Sequence, residues 1–443
     1  MKPRNVELFL LVIASLITCM GYWLASLGTT SELPTDIIPF LVIVLGLLIG
    51  THFAIRAFVP FADGLMFPLV ALLNGLGYMM IARLDPDLAS KQAFWTFIGL
   101  AVFVFTIVFF RDIRFLEPFR YTLAALGVVL LLLPLTPGIG QKINGAQIWI
   151  KIGSLSIQPG EIAKLVLAAF LASYLAEKKE FIALEVRRIG PVGLPAFKYF
   201  APLIFACGIT LLVMVFQKDL GSSLLFFTLF LVMVYVATGR SIYVFSGMFM
   251  FAGGAFFAWS NFSHVRTRVS TWLDPYLDVK GAGYQISEAQ FAIADGGLTG
   301  TGLGLGYPKK IPVVESDMIF AAFAEELGLL GATSLLLIFL LFVSCGIRIA
   351  LSAASEFERL LATGLILLLG FQAFIIIGGT LRVLPLTGVT LPFVSYGGSS
   401  LIVNYMIVGI MMRVSHNSVV AATNEIISGL DEGSDSKWKA VSK

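Results

Sequence analysis

The chain has 443 residues, of which 58% are hydrophobic and only 13% are charged. A soluble globular domain carries roughly 25% charged residues, so this composition excludes a soluble protein. The formal net charge of +3 gives no reason to expect a nucleic-acid partner. The three cysteines, Cys19, Cys207 and Cys345, all lie in apolar stretches, which argues against a disulfide framework or a cysteine metal site.

Apolar stretches long enough to cross a membrane recur along the whole chain. We predict about twelve spans from hydropathy, near residues 7–27, 37–57, 64–82, 92–110, 119–136, 160–177, 200–216, 221–237, 243–260, 318–345, 359–379 and 391–413. The predicted fold class is therefore all-α, a polytopic membrane protein interrupted by one long polar loop, residues 261–317. Residues 1–60 form two N-terminal helices and residues 61–413 the main membrane domain. A polar tail, residues 414–443, is predicted to be disordered and cytoplasmic.

The basic residues predict the topology. Two connections on the same side as the N-terminus are rich in them, with Arg111, Arg114 and Arg120 in one and Lys178, Lys179, Arg187, Arg188 and Lys198 in the other. The positive-inside rule then places both termini in the cytoplasm and the 261–317 loop outside it.

The connection Gln141–Gln158 leads into a span that begins with Pro159 and carries two charges in its first turns. Glu161 complements the helix dipole, and Lys164 lies three residues later on the same face. An ammonium inside a membrane helix is costly unless it is paired. Either Lys164 pairs with Glu161 and reaches the interface, or it faces a polar cavity and meets an anion there.

The long polar loop ends at Asp317, directly before a predicted helix, Met318–Cys345. Asp317 is either a helix cap or, with Lys164 as a partner across the bundle, a general base. Eight residues further on, Glu325 and Glu326 lie about 12 Å deeper at helical rise. We interpret them as a polar lock between helices.

Other polar groups give weaker signals. The glycines at 300, 302, 304 and 306 suggest tight turns more than a phosphate cradle, because the lysine and hydroxyl of a P-loop are missing. Basic side chains in the same loop either bind a pyrophosphate or are solvated, namely Arg266, Arg268, Lys309 and Lys310. Asp219 lies in the short connection Gln217–Gly221, and we interpret it as structural.

Together these pieces resemble the SEDS family (shape, elongation, division and sporulation) over about residues 60–413. The matching motifs come in the family's order: Gln158-Pro159-Gly160-Glu161 with Lys164, Lys218-Asp219-Leu220-Gly221, Asp274-Pro275, Gly281-Ala282-Gly283-Tyr284-Gln285, Gly296-Gly297, Ser316-Asp317-Met318-Ile319-Phe320-Ala321, Glu325-Glu326-Leu327-Gly328 and Leu391-Pro392-Phe393-Val394-Ser395-Tyr396-Gly397-Gly398-Ser399-Ser400. The Lys-Asp-Leu-Gly form and the two helices before the usual ten are most similar to the elongation branch of actinobacterial type.

The resemblance implies a peptidoglycan glycosyltransferase of the cytoplasmic membrane that polymerises lipid II outside the cell and releases undecaprenyl pyrophosphate. It implies a class B penicillin-binding protein and other elongation or division machinery as partners. Asp317 and Lys164 would be catalytic, and Asp317 would bind a divalent cation, Mg²⁺ or Mn²⁺. The substrate-binding residues would be Glu161, Tyr284, Gln285, Arg266, Arg268, Ser395 and Ser399.

Three positions depart from the family pattern. Ile148 stands where arginine is usual, Gly160 where serine is usual, and Ser316 where threonine is usual. Two other functions share these residues: a lipid II flippase, which also needs intramembrane charges, and a passive scaffold for the penicillin-binding partner. A division role in place of elongation is a further alternative.

Overall fold

The structure is a computed structural model that describes residues 3–31, 37–143, 145–153, 155–183, 187–189, 192–194 and 197–441. Helices account for most of this part of the chain. They are α1 (Pro3–Thr30), α2 (Ile37–Phe58), α3 (Met66–Leu84), α4 (Pro86–Phe109), α5 (Arg120–Leu132), α6 (Pro159–Ala183), α7 (Phe197–Gln217), α8 (Leu220–Thr238), α9 (Ser241–Asn261), α10 (Ser263–Leu273), α11 (Tyr284–Gly296), α12 (Ile319–Leu351), α13 (Glu356–Thr380) and α14 (Gly398–Val441).

Within the described residues, eleven helical segments are long and apolar enough to span a membrane, and α2 contributes a shorter apolar segment, Val42–Phe58. The fold-class prediction is confirmed, and the predicted spans fall on these helices. Most residues of α6 and α13, and of α14 up to Ser418, are buried inside the bundle, whereas α9 exposes nearly all of its apolar side chains. Because a helix satisfies its own backbone hydrogen bonds, an apolar exposed face such as that of α9 suits a lipid environment.

In the part of the chain that the structure describes, two small antiparallel sheets add to the helical bundle. β1 (Gly140–Ile143), β2 (Ala146–Ile152) and β3 (Leu155–Ile157) form the first, with β2 in the centre. β4 (Arg187–Ile189) pairs with β5 (Val192–Leu194) in the second. The connection before α6 is therefore a sheet, whose register places Gln141 opposite Trp149.

The polar segment 261–317 was predicted to be a loop. In the structure it contains helices α10 and α11. It closes over one end of the bundle, which we call the loop end. Contacts at that end involve the last turns of α1 and α3 and the connection between α13 and α14.

Helix α12 is broken at Gly328, where φ is 65° and ψ is −166°. The sequence predicted one continuous helix there. The two segments are 319–327, which we call the half-helix, and 329–351. The backbone of residues 296–306, which we call the glycine-rich segment, fills the break. Leu329 N donates to Gly297 O at 3.0 Å, and Leu330 N donates to Leu298 O at 3.2 Å.

The final helix has different bounds from those predicted. It begins at Gly398 rather than 391, since Phe393 adopts a positive φ of 65° and Pro392 interrupts the chain. It also continues past residue 413, with Val414, Ser415 and Ser418 still buried. The predicted boundary at 413 is therefore too early, and α14 runs to Val441 where irregular chain was expected.

Candidate active site

Asp317 lies in the turn that precedes the half-helix. Its carboxylate accepts a hydrogen bond from the Ser316 hydroxyl at 2.9 Å. The N-cap position of α12 is Met318, and no side chain caps this helix. The helix-cap hypothesis for Asp317 is therefore wrong, and its carboxylate remains available for another role.

The surroundings of Asp317 shift the pKa of its carboxyl group in both directions. Burial raises the pKa of its carboxyl group, while the Ser316 hydroxyl and the Arg268 guanidinium lower that pKa and the neighbouring Glu315 raises it. Burial lowers the pKa of Arg268, and Asp219 and Asp317 oppose that shift. A carboxylate with a raised pKa beside one cation has the properties of a general base.

The connection between α13 and α14, residues 381–397, forms one wall of this site. A side chain at Gly388 would bring its Cβ to 3.6 Å from Asp317 Oδ2. Arg268 donates to Leu386 O at 3.2 Å and to Thr387 O at 3.1 Å. Thr387 is 8% exposed, and its hydroxyl has no hydrogen-bond partner among the described residues.

The same connection is fastened to the chain just before Asp317. Ser395 donates from its hydroxyl to Ser316 O at 2.5 Å, and Tyr396 N donates to Glu315 O at 2.8 Å. The predicted residue Ser395 therefore lies beside the site, where it holds the backbone that carries Asp317.

Lys164 does not pair with Asp317, which corrects the prediction. Its ammonium lies 2.7 Å from Glu161 Oε2 and donates to Gln372 Oε1 at 3.0 Å. The pair with Glu161 was one of the two alternatives, but Lys164 is only 2% exposed and does not reach the interface. Burial of this kind requires the two partners that the structure provides.

A chain of hydrogen bonds extends from Lys164 to the wall of the Asp317 site. Gln372 donates from its amide to Thr390 O at 2.8 Å, and the Thr390 hydroxyl donates to Ser400 Oγ at 3.0 Å. The predicted residue Ser399 accepts from Gln158 N at 3.1 Å, which ties the start of α6 to the start of α14. Hydrogen bonds thus connect Lys164 to residues 381–397 through Gln372.

Gln372 and Thr387 were not predicted from the sequence. Gln372 could have been, because an amide inside an otherwise apolar span needs a polar partner there. Thr387 had none, because a threonine in a breaker-rich connection is common.

Tyr284 and Gln285 support the segment before Asp317 from α11. The Tyr284 hydroxyl donates to Lys310 O at 3.3 Å, and the Gln285 amide donates to Pro312 O at 2.9 Å. Arg266 is exposed and donates to Ser260 O, so the structure does not bring it into this set. Asp219 caps α8 by accepting from Ser222 N at 2.9 Å, in keeping with its structural assignment.

Glu325 and Glu326, at the end of the half-helix, hold the glycine-rich segment. Glu325 accepts from Tyr307 N at 2.6 Å, and Glu326 accepts from Gly304 N at 3.0 Å. Arg83 of α3 lies 3.2 Å from the Glu326 carboxylate. These contacts agree with a polar lock.

A resident metal cage is not formed by the residues that the structure describes, since no three His, Cys, Asp or Glu side chains are grouped there. Asp317 is a single carboxylate. That donor set fits an ion such as Mg²⁺ only if substrate phosphates and water complete its coordination.

Two cavities lie elsewhere in the described bundle. One of about 530 Å³ is lined by α1, α3 and α12, and one of about 290 Å³ by α1 to α4. Neither is lined by Asp317 or Lys164.

The family of the chain follows from its sequence. A sequence model of the Cell cycle protein family, which takes in FtsW, RodA and SpoVE, matches residues 56–419. The chain belongs to this family, the SEDS family. The match covers α3 to α13 and much of α14 and leaves α1 outside.

Individual SEDS proteins are similar over most of their length. The Peptidoglycan glycosyltransferase RodA of Mycobacterium tuberculosis H37Rv is 42% identical over 427 residues, covering 94% of this chain and 91% of the relative. Stage V sporulation protein E of Bacillus subtilis is 39% identical over 292 residues, covering 65% of this chain and 76% of the relative.

Solved structures share the fold. A chain of a peptidoglycan synthase complex that coordinates polymerization and crosslinking is 30% identical, with a TM-score of 0.67, over 81% of this chain and 98% of its own length. The Rod shape determining protein RodA of Thermus thermophilus is 28% identical, with a TM-score of 0.55, over 80% of this chain and 96% of its own length.

Proposed function

We propose that this SEDS protein is a peptidoglycan glycosyltransferase of the elongation type, which polymerises lipid II at the outer face of the cytoplasmic membrane. The observation that carries the proposal is the Asp317 carboxylate, which is half-buried at the loop end, uncommitted to helix capping and beside the Arg268 cation. The identity of 42% to a peptidoglycan glycosyltransferase RodA supports the same reaction class.

In the proposed reaction, Asp317 removes the proton from the acceptor sugar hydroxyl. The hydroxyl oxygen then forms a bond to the anomeric carbon of the donor. The bond from that carbon to the pyrophosphate oxygen breaks, and undecaprenyl pyrophosphate leaves with the electron pair. Arg268 opposes the rise in the pKa of Asp317 and offers positive charge near the departing phosphate.

A divalent cation is part of the proposal as a ligand of Asp317, with substrate phosphates and water as its other ligands. When bound, such an ion would neutralise charge on the leaving pyrophosphate. Asp317 is the protein group that would hold it, and the Ser316 hydroxyl at 2.9 Å would orient that carboxylate.

The positive-inside rule supports a topology with both termini in the cytoplasm and the loop end outside. A class B penicillin-binding protein is the proposed partner, because a solved relative of this chain occurs in a peptidoglycan synthase complex. The lipid chains of the substrate would lie against the apolar exposed surface of the bundle.

The test is formation of glycan strands from labelled lipid II by the purified chain together with its transpeptidase partner. Asp317→Asn should abolish polymerisation. Asp295→Asn is the matched control, since Asp295 is an exposed carboxylate of the same polar segment, and it should leave the rate unchanged. Full activity of Asp317→Asn would overturn the assignment and favour a scaffold role.

A vesicle assay separates the flippase alternative. A flippase moves labelled lipid II across the bilayer without consuming it, whereas the proposed enzyme converts it to polymer on one side. Transport by wild-type protein without polymer would replace the proposed function.

A further inference from the structure

Helix α1 touches the glycine-rich segment, although α1 lies outside the residues that match the family model. A Cβ at Gly28 would overlap the carbonyl oxygen of Leu303, and a Cβ at Gly304 would overlap the carbonyl oxygen of Ala25. The two backbones are therefore in direct contact. Gly304 has φ of +80°, so its conformation also suits glycine.

The glycine-rich segment is in turn attached to the half-helix. Thr301 N donates to Glu325 O at 2.9 Å and Gly302 N to Glu326 O at 3.0 Å. Gly304 N donates to the Glu326 carboxylate at 3.0 Å. These bonds satisfy the carbonyls that the break at Gly328 leaves without helical partners.

A cation of α3 completes the attachment. Arg83 donates to Gly304 O at 3.1 Å and to Gly306 O at 3.0 Å, and its guanidinium also lies 3.2 Å from Glu326. The segment is thus held between α1 on one side and the end of the half-helix on the other.

The half-helix is only nine residues long, from 319 to 327, and Asp317 immediately precedes it. Residues 395 and 396 fix its beginning, while the glycine-rich segment fixes its end. We therefore expect a displacement of the end of the half-helix to be transmitted along its nine residues to Asp317.

We propose that Gly28 is a positioning residue for the glycosyl transfer proposed above: its missing side chain lets α1 press the glycine-rich segment against the half-helix and so sets the place of Asp317. The inference rests on the proposed function for its kinetic consequence only. The contact between Gly28 and Gly304 is independent of it.

The test compares two alanine substitutions in the N-terminal helices. Gly28→Ala introduces a Cβ that must displace the Leu303 carbonyl, whereas Gly46→Ala in α2 introduces a Cβ with nothing within 4 Å. Both changes replace a helical glycine by alanine, and only Gly28→Ala adds an overlap with another segment. A difference between them therefore reports the contact.

Gly28→Ala should lower kcat for lipid II polymerisation about 10- to 100-fold, as small misplacements of catalytic groups do, with KM changed by less than about twofold. Gly46→Ala should match wild type in both constants. A role of Gly28 in folding alone predicts less folded enzyme with unchanged kcat for each folded molecule. Equal kcat in the two variants, after correction for folded protein, would overturn the proposal.

Amide hydrogen exchange gives a readout without activity. In Gly28→Ala the amides of Thr301, Gly302 and Gly304 should exchange at least about tenfold faster than in Gly46→Ala, because their bonds to the half-helix loosen. Unchanged exchange at these amides contradicts the inference. If wild-type protein makes no polymer, the proposed function fails, but the exchange result still tests the contact.

Arg83→Gln serves if Gly28→Ala does not fold. It loosens the same segment from α3 without adding atoms against α1, and it should raise exchange at the same three amides and lower kcat with KM preserved. If Arg83→Gln shows wild-type amide exchange and wild-type kcat, the glycine-rich segment does not position Asp317.

Discussion

Replacing Lys164 by methionine should destabilise the folded protein strongly. The substitution leaves the Glu161 carboxylate buried without the ammonium that lies 2.7 Å from it. It also removes the hydrogen bond of 3.0 Å that Lys164 donates to Gln372 Oε1. Breaking one side of a buried pair costs about 3–5 kcal/mol. Glu161→Met alone should cost a similar amount, because it strands the ammonium.

The double variant Glu161→Met with Lys164→Met removes both charges and keeps the volume nearly constant. It should recover most of the loss and remain about 1–3 kcal/mol below wild type, since only the Gln372 acceptor is left unsatisfied. Unfolding of the purified protein in mixed micelles by increasing denaturing detergent measures each free energy. Additive losses in the double variant would refute the buried pair as the source of the cost.

The same variant separates a catalytic from a purely stabilising role of the pair. A folded double variant that makes no glycan assigns the Glu161–Lys164 pair to the reaction, as the family resemblance implied. A folded double variant that keeps polymerising limits the pair, and its bond to Gln372, to stabilising the bundle. Lipid II polymerisation, normalised to folded protein, decides between them.

Burial raises the pKa of Asp317. On the acid side, kcat/KM should therefore begin to fall at a higher pH than it would with an exposed carboxyl group. Arg268→Gln should move this acid-side fall to a still higher pH, because Arg268 lowers the pKa of Asp317. Because the pKa is raised, folding favours the protonated form of Asp317. Its contribution to stability is therefore present at low pH and is lost as the pH rises through the folded-state pKa. Asp317→Asn should raise Tm at neutral pH, and the gain should shrink on acidification. Gly328→Ala should prevent folding, because Gly328 has φ of 65° and a Cβ there would overlap Gly300 N, while Gly208→Ala, with nothing within 4 Å, should express normally. Chelation of divalent cations should lower polymerisation and added Mg²⁺ should restore it; unchanged rates in chelator would remove the cation from the proposal.

Hydropathy was enough to predict the membrane bundle, because a membrane span is recognised from the apolar character of its own consecutive residues. The position of Asp317 before a helix was also readable from local sequence. Its expected partner was not, since the separation between Lys164 and Asp317 along the chain carries no information on distance. Burial of Lys164 in α6 commits it to Glu161 and Gln372 instead.

The break in α12 escaped prediction for a different reason. Gly328 stands in an apolar run, where a glycine is compatible with a continuous helix. Its positive φ depends on backbone from residues 297–298, which bonds to Leu329 and Leu330. A conformation fixed by a distant segment cannot be inferred from the run itself, and the same holds for the pairing of β1 with β2.

The filled break in α12 determines which sequence changes this region tolerates. The bonds that fill it join backbone to backbone, while Leu298, Leu329 and Leu330 expose 63%, 56% and 58% of their side chains. These bonds therefore constrain the three side chains little, although Leu329 and Leu330 lie in a membrane-spanning helix and should stay apolar. The number of residues is constrained, because an insertion or deletion between 297 and 302 would shift every bond by one position. Homologous proteins should therefore exchange one apolar side chain for another at 329 and 330 while keeping the same length.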